Sequence, residues 1–273
     1  MISLNLTTTA GRLDVCSATI WSLIHQSILP DKIFLWVSKD PYMADTGISS
    51  DPLWVSEVNN IRDIVRVRYV ENTGPYRKIF PALKEASDND ILIYADDDVI
   101  YGYNWLELLL SSFYESNSEF AVASRIRIMH KNFLGYYQSY NKYSILTNNK
   151  VCTDDFIITG VGGCVLKRKM INCDLINDDS YLKVAPKTDD LWISKILKIS
   201  GSSVKNCPEA LLQIQEIQHS NYSLNHENTI KFSGGIVMRF FHRLRMSIFG
   251  YFGKSLSNND FAQKEIDNYF NKK

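Results

Sequence analysis

The sequence predicts an α/β protein built on a largely parallel β-sheet. Short apolar runs alternate with longer segments of helical period, which is the pattern of strands joined by helices. The chain has 273 residues, of which 45% are hydrophobic, and this is enough for one sizeable core or two small ones. The alternation is most regular up to residue 125, where the elements follow one another in a clear order.

The first elements are a strand, a helix and a second strand. ISLNLTTT (2–9) predicts the first strand, and LDVCSATIWSLIHQS (13–27) predicts a helix with an apolar face. KIFLWVS (32–38) predicts the second strand. This strand is expected to end near Asp40, because Pro41 cannot continue a strand ladder.

The alternation then repeats. VRVRYV (65–70) predicts the third strand, and YRKIFPALKEAS (76–87) predicts a helix. Pro81 must lie in the first turn of that helix, where its missing N–H is tolerated. DILIYAD (90–96) predicts the fourth strand. The series closes with a helix at 103–116 and a fifth strand at 119–125.

The pattern loosens beyond residue 125. Residues 136–155 are rich in Tyr, Asn and Ser without a clear period, and they predict a long excursion or a mixed insertion. FIITGVGGCVLKR (156–168) resumes strand character around a glycine cluster. TDDLWISKILKIS (188–200) then predicts a helix.

Composition excludes several classes of function. Lys plus Arg and Asp plus Glu both count 30, so charge gives no argument for a nucleic-acid partner. The five cysteines are odd in number and contain no C-x-x-C pair, which argues against a disulfide framework or a zinc ribbon. We find neither a signal peptide at the N-terminus nor an apolar run of the roughly 20 residues that span a bilayer. We therefore expect a cytoplasmic protein.

Three consecutive aspartates follow the fourth predicted strand. Side chains alternate faces along a strand, so Asp96 and Asp98 are expected to point one way and Asp97 the other. Two adjacent carboxylates suit Mg²⁺ or Mn²⁺, which take oxygen ligands and share them with phosphate. Ligands collect beyond the carboxyl ends of strands, which supports a metal site here. Alternatively, the aspartates stop the strand and cap the helix near Tyr103.

Five segments taken in order resemble the bacterial family 2-like glycosyltransferases of the GT-A fold that build surface polysaccharides. They are LTTTAGR (6–12), ENTGPYRKIFPAL (71–83), ILIYADDDVIY (91–101), GVGGCVL (160–166) and TDDLWIS (188–194). The resemblance covers residues 2–220. It implies a Rossmann-like, mostly parallel central sheet flanked by helices, with a C-terminal helical extension.

The resemblance also implies a division of the chain. Residues 1–225 would form the GT-A domain, with a nucleotide-sugar-binding half at 1–125 and an acceptor-side half at 126–225. Residues 226–273 would form a basic and aromatic helical segment. Its mixture of Arg, Lys and aromatic residues fits a helix lying on an anionic membrane surface, and equally a helix packed on protein.

The resemblance assigns the donor nucleotide to loops after the strands. The implied donor-binding residues are Thr7, Thr8, Thr9, Arg12, Asp40, Arg77, Lys78, Asp96 and Asp97. The helix start and the cations of TGPYRK independently favour a diphosphate. The threonines also fit a polar connection in which Thr8 or Thr9 caps the first helix, and Arg77 also fits a solvent-exposed position.

By the same resemblance, Asp98 and Asp96 bind Mn²⁺ or Mg²⁺, and His219 is a further candidate ligand. Asp190 would be the general base of an inverting transfer, with Asp189 beside it. Both acids also fit ordinary helix N-terminal electrostatics. The implied acceptor-side residues are Gly162, Gly163 and Trp192, although Trp192 also fits the core.

The expected function is metal-dependent transfer of a sugar from a UDP- or GDP-sugar to a hydroxyl of a glycan or lipid-linked glycan. One alternative is a sugar-1-phosphate nucleotidyltransferase, but its glycine-rich basic loop after the first strand is absent from TTTAGRLDV. Another is an inactive nucleotide-sugar-binding or membrane scaffold. We expect a cytoplasmic protein peripheral to the inner face of the membrane, and homo-oligomerisation is left open.

Overall fold

The computed structural model describes residues 1–217 and 245–272. The strands are β1 (Ile2–Thr7), β2 (Lys32–Val37), β3 (Val65–Tyr69), β4 (Ile91–Tyr94), β5 (Val99–Tyr101), β6 (Ala121–Ala123), β7 (Ile126–Ile128), β8 (Ser144–Ile145), β9 (Val151–Cys152), β10 (Phe156–Ile158), β11 (Cys164–Lys167), β12 (Val204–Asn206) and β13 (Ile214–Glu216). The helices are α1 (Leu13–Ile24), α2 (Trp54–Ile61), α3 (Phe80–Glu85), α4 (Trp105–Glu115), α5 (Cys173–Ile176), α6 (Tyr181–Val184), α7 (Asp189–Ile199), α8 (Pro208–Leu211) and a C-terminal helix (Asn258–Lys272). Residues 245–251 are also helical.

The central sheet has the strand order β3-β2-β1-β4-β11-β6-β12-β9. β1 runs parallel to β2 and β4, β2 to β3, and β6 to β12, while β11 and β9 are antiparallel to their neighbours. The predicted α/β class with a mostly parallel sheet is therefore confirmed. Two small sheets, β10-β7-β8 and β13-β5, lie outside it.

Burial on both faces explains the continuous apolar runs of the central strands. All four residues of β4 are buried, as are Leu4 and Leu6 of β1. A parallel sheet covered by helices on both faces has no solvent-exposed side, so its strands need not alternate between apolar and polar residues. Because β1 is parallel to β2 and β4, the carboxyl ends of these three strands lie at one edge of the sheet.

The helix predicted at residues 76–87 is divided. Gly74–Lys78 forms a 3-10 turn, and α3 begins only at Phe80, because Ile79 between them has a non-helical φ of −139°. Pro81 lies in the first turn of α3, as expected. The division matters because it turns the cations of the 3-10 turn inward.

The C-terminal helix packs on the sheet domain. The ring of Trp192 on α7 lies 5.6 Å from that of Tyr269 and 5.0 Å from that of Phe270. Lys195 pairs with Asp267 at 2.6 Å. For residues 258–272 the structure thus has a helix packed on protein, and a boundary at residue 225 does not separate this helix from the domain. Across the two described ranges, no helix is both long enough and apolar enough to cross a membrane.

Candidate active site

Charged side chains from four segments converge at the carboxyl edge of β1 and β4. They are Arg12, Lys78, Asp96, Asp97, Asp98, Asp189 and Asp190. The structure brings together the lysine, the aspartate triplet and the acidic pair that the sequence singled out, although up to about a hundred residues separate them. We call this group the carboxylate cluster.

Lys78 lies at the centre of the carboxylate cluster. Its Nζ is 2.7 Å from Asp96 Oδ1, 2.8 Å from Asp189 Oδ2 and 3.8 Å from Asp190 Oδ1. Burial alone would lower the pKa of Lys78, but the charges of Asp189, Asp96 and Asp190 outweigh burial and raise the pKa well above its usual value. Lys78 is therefore a permanent cation that binds the end of β4 to the start of α7.

Asp190 has the properties of a general base. Its Oδ1 accepts a hydrogen bond from the N–H of Gly160 at 3.0 Å, and 29% of its side chain is exposed. Burial, followed by the charges of Asp189 and Asp96, raises its pKa, while Lys78 opposes the rise. Water moderates this shift because the side chain is not fully enclosed. The result is a carboxylate more basic than an ordinary aspartate, fixed at a helix start and open to a substrate.

Gly160 allows the backbone to approach the carboxylate cluster. A Cβ at this position would collide with Lys78 Nζ and lie 2.6 Å from Asp96 Oδ1. The glycine cluster in the sequence indicated such a close approach. However, the sequence assigned the site role to Gly162 and Gly163, and Gly160 is the glycine that faces the charged groups.

Arg12 holds the other two aspartates. Its Nη2 lies 2.6 Å from Asp97 Oδ1 and 2.8 Å from Asp98 Oδ2. Asp97 is buried, and burial together with the charges of Asp98 and Asp96 raises its pKa to about 6 despite Arg12. The expected alternation of faces is wrong here, because β4 ends at Tyr94 and the aspartates lie in the turn beyond it. Asp97 and Asp98 share Arg12, whereas Asp96 turns to Lys78.

The donor set of the aspartate turn fits a hard divalent cation. The Asp96 and Asp98 side chains are 29% and 28% exposed, and carboxylate oxygens with phosphate oxygens are the usual ligands of Mg²⁺ and Mn²⁺. Within residues 1–217 and 245–272, no group of three or more His, Cys, Asp or Glu side chains is arranged to hold a metal. His219 lies outside the described residues. The fit is thus to an ion that a phosphate-bearing substrate would help to coordinate.

Arg77 does not face solvent or the proposed diphosphate. It is only 1% exposed, and its Nη2 lies 2.9 Å from Asp45 Oδ2 and 3.1 Å from the carbonyl oxygen of Thr8. The donor-binding assignment of Arg77 is therefore wrong in this structure. The inward direction follows from the 3-10 turn, which the sequence pattern presented as a regular helix.

Asp45 is the buried acid of this region, and sequence reasoning missed it. Its Oδ1 accepts hydrogen bonds from the N–H groups of Ala10 and Gly47, each at 3.1 Å. Asp40, which the resemblance favoured, is exposed. The local sequence Asp-Thr-Gly was compatible with a turn that an aspartate closes, but nothing in it indicated the ion pair with Arg77.

The threonines of the first loop differ in their surroundings. Thr7 Oγ1 donates to the carbonyl oxygen of Trp36 at 2.7 Å and so joins the ends of β1 and β2. Thr8 is buried, whereas Thr9 is partly exposed and makes no side-chain capping bond. The capping alternative for Thr9 is thus not realised, and contact of these residues with a donor stays a prediction.

The three residues assigned to the acceptor side face the core. Trp192 is fully buried between aromatic rings and has no face open to a sugar. A Cβ at Gly162 would collide with Ser124, and one at Gly163, whose φ is +78°, would collide with Trp105. The core alternative for Trp192 is thus realised, and contact of Gly162 and Gly163 with an acceptor stays a prediction.

Arg125 and Glu216 form a pair that the sequence did not indicate. Arg125 Nη1 lies 2.9 Å from Glu216 Oε1. The carbonyl oxygen of Arg125 accepts from the N–H of Thr159 at 3.1 Å, beside Gly160, while Glu216 on β13 is opposite Val99 of β5. The pair thus joins the segment next to Asp190 to the segment that follows Asp98.

Comparisons with known proteins show similarity in family and in fold. Residues 49–175 match the family model described as Glycosyl transferase family 2. The fold is similar to the crystal structure of S. aureus TarS 1–349, with a TM-score of 0.50, 18% identity, and coverage of 75% of this chain and 57% of that chain. This chain therefore spans less than two thirds of that structure.

A weaker likeness is to 4-diphosphocytidyl-2C-methyl-D-erythritolsynthase from Anaerococcus prevotii DSM 20548. The TM-score is 0.37 and the identity 15%, with coverage of 70% of this chain and 84% of that chain. No curated protein has a significant sequence match to this chain.

Proposed function

Because this chain carries a family 2 glycosyltransferase domain in a GT-A fold, we propose that the whole protein is a metal-dependent glycosyltransferase. It transfers a sugar from a UDP- or GDP-sugar to a hydroxyl of a glycan or lipid-linked glycan. The observation that carries the proposal is the position of Asp190, a carboxylate of raised pKa beside the Lys78–Asp96 pair. The proposed base and the proposed phosphate-binding residues are thereby close enough to act in one transfer reaction.

The donor side uses the end of β4. Asp98 and Asp96 would hold Mn²⁺ or Mg²⁺, and Arg12 and Lys78 lie against the same carboxylates. When bound, the ion supplies positive charge that stabilises the departing nucleoside diphosphate. The two side chains offset part of the negative charge of these carboxylates, which reduces their repulsion of an anionic donor.

The acceptor side uses the start of α7. Asp190 takes the proton from the acceptor hydroxyl while that oxygen attacks the anomeric carbon of the donor. The bond between the anomeric carbon and the diphosphate breaks as the new glycosidic bond forms, and the electron pair leaves with the diphosphate. Attack opposite the leaving group inverts the configuration of the anomeric carbon. Asp189 fixes Lys78 and helps to keep the base strong.

The proposal is tested with the purified full chain and a panel of UDP- and GDP-sugars. We expect one donor to raise the melting temperature only when Mn²⁺ is present, because binding to the native state stabilises it. Asp98→Ala should abolish this shift. Asp179→Asn, which alters an exposed partner of Lys84, serves as the control and should keep it.

Two results would contradict the proposal. One is an Asp98→Ala variant that keeps the metal-dependent shift. The other is a wild-type chain that releases pyrophosphate from a nucleoside triphosphate and a sugar 1-phosphate, since that product belongs to a nucleotidyltransferase. We further propose that the enzyme works on the cytoplasmic side of the membrane, where lipid-linked acceptors are presented.

A further inference from the structure

An exposed apolar surface lies outside the carboxylate cluster. It is formed by the loop 131–137 and by residues 245–254, and we call it the aromatic surface. Its six apolar members are Phe133 (74% exposed), Leu134 (56%), Tyr136 (64%), Ile248 (48%), Tyr251 (36%) and Phe252 (50%). Such a concentration of exposed large apolar side chains marks an interaction surface.

The aromatic surface is a single structure, although more than a hundred residues separate its two segments. The ring of Phe133 lies 6.4 Å from that of Tyr251 and 6.1 Å from that of Phe252. Asn132 Nδ2 donates to the carbonyl oxygen of Tyr251 at 3.2 Å. Gly253 has a φ of +75°, and a Cβ there would lie 2.5 Å from the carbonyl oxygen of Tyr137. The two segments therefore approach as closely as backbones can.

The loop tip is shaped before any partner binds. Asn132 Oδ1 accepts hydrogen bonds from the N–H groups of Leu134 at 2.9 Å and Tyr136 at 3.1 Å. Gly135 turns the chain at a φ of +82° with no atom near its Cβ position. Because the backbone is fixed, the three apolar side chains point outward without loss of loop entropy on binding.

The charge around the aromatic surface is mainly positive. The sequence has no Asp or Glu between residues 125 and 153 or between residues 245 and 259. Lys254 and Arg245 lie over the ring of Phe249, at 4.6 Å and 5.1 Å, and both are exposed. Lys131 is exposed at the loop, where it pairs with Asp155 at 3.4 Å. Exposed apolar side chains with cations beside them are complementary to a lipid bilayer, which has anionic headgroups at its surface and an apolar interior.

We propose that the aromatic surface binds an anionic lipid bilayer, with Phe133, Leu134 and Phe252 entering the headgroup region. A protein partner would need acidic side chains to pair with the cations and an apolar pocket to receive the loop side chains. An anionic bilayer provides both kinds of contact. The inference deepens the proposed function, on which it rests only for the idea that the acceptor is lipid-linked. Lipid binding itself is independent of catalysis.

The fold connects this surface to the site. Arg125, whose carbonyl bonds the residue next to Gly160, leads through β7 into the loop that carries Phe133. The eight residue-to-residue steps from Arg125 to Phe133 can span at most about 30 Å. On the way back the chain passes Tyr140, whose ring stacks with Arg127 at 5.2 Å and whose pKa is raised by burial and then by Asp190. The chain thus runs directly from the segment beside Gly160 to the proposed bilayer contact.

The test is sedimentation of the full chain with vesicles of phosphatidylcholine, with or without phosphatidylglycerol, and without nucleotide sugar. We expect binding only to the anionic vesicles. The double variant Phe133→Ser and Phe252→Ser should bind these vesicles with an affinity at least about tenfold lower. The matched control, Leu53→Ser with Leu212→Ser, removes residues that are 87% and 84% exposed elsewhere and should bind as the wild type does.

Equal binding by the wild type and the Phe133/Phe252 variant would overturn the proposal. A wild-type chain that does not bind anionic vesicles would also overturn it. So would a wild-type dimer that the double variant abolishes, because the aromatic surface would then be an interface between two copies of the chain. Melting curves confirm that both double variants are folded. The donor-induced melting shift is measured separately, so loss of lipid binding with an intact shift overturns only this inference.

Discussion

At the scale of single residues, two cations organise the candidate site. Lys78 contacts Asp96 and Asp189, while Arg12 contacts Asp97 and Asp98. Each cation thus holds carboxylates that would otherwise repel one another, and breaking such a buried pair costs about 3–5 kcal/mol. The arrangement leaves Asp190 as the carboxylate least directly paired, at 3.8 Å from the lysine.

The raised pKa of Asp190 predicts the pH dependence of catalysis. A general base works only when ionised, so kcat/KM should rise with pH through a midpoint above that of an ordinary carboxyl group. In Asp189→Asn one of the charges that raise the pKa is gone, and the midpoint should move to lower pH. A pH–rate profile measures both. Asp179→Asn is the control, and a midpoint that Asp189→Asn leaves in place would contradict the electrostatic account.

Part of this residue-level picture was predictable from the sequence. Asp96 and Asp98 were singled out because they follow a strand, and the resemblance gave Lys78 and Asp190 their roles. The structure places Lys78 against Asp96 and Asp190, and Arg12 against Asp98. The burial of Arg77 could not be predicted. It depends on Asp45, 32 positions away, and on a break in the helix at Ile79.

At the scale of elements, α7 carries the proposed base, and the C-terminal helix supports it. Trp192 packs against the adjacent Tyr269 and Phe270, and this contact fixes the helix that carries Asp190. The sequence predicted α7 from its apolar period and its acidic start. It did not show that a helix seventy residues later covers it, because amphipathic period indicates a buried face without indicating its partner.

Loosening that contact should reduce both stability and activity. For the double variant Tyr269→Ala and Phe270→Ala we expect a loss of about 2–5 kcal/mol in the free energy of unfolding, because partly buried aromatic packing is removed. Turnover should fall with it, since Asp190 loses its fixed position. Phe261→Ala, which is 59% exposed on the same helix, is the matched control and should be near neutral. Denaturant unfolding and donor turnover are measured side by side, and unchanged turnover in a measurably destabilised double variant would contradict the positioning role.

At the scale of the whole molecule, one fold carries both the candidate active site and the proposed lipid-binding surface. Residues before 125 supply the aspartate turn and both cations, and later residues supply Gly160, the base and the aromatic surface. The fold class followed from the alternation of strands and helices. The small sheet of β5 and β13 did not, because its three-residue strands pair across more than a hundred positions and carry no periodic signal.

The measurement that tests the central claim most directly is donor turnover by Asp190→Asn. Asparagine keeps the oxygen that accepts from Gly160 but cannot take a proton, so the fold and the donor-induced melting shift should persist. Release of nucleoside diphosphate in the presence of acceptor should fall by about 10²–10⁴-fold. A purified Asp190→Asn chain that binds donor and turns it over at the wild-type rate would show that the base lies elsewhere.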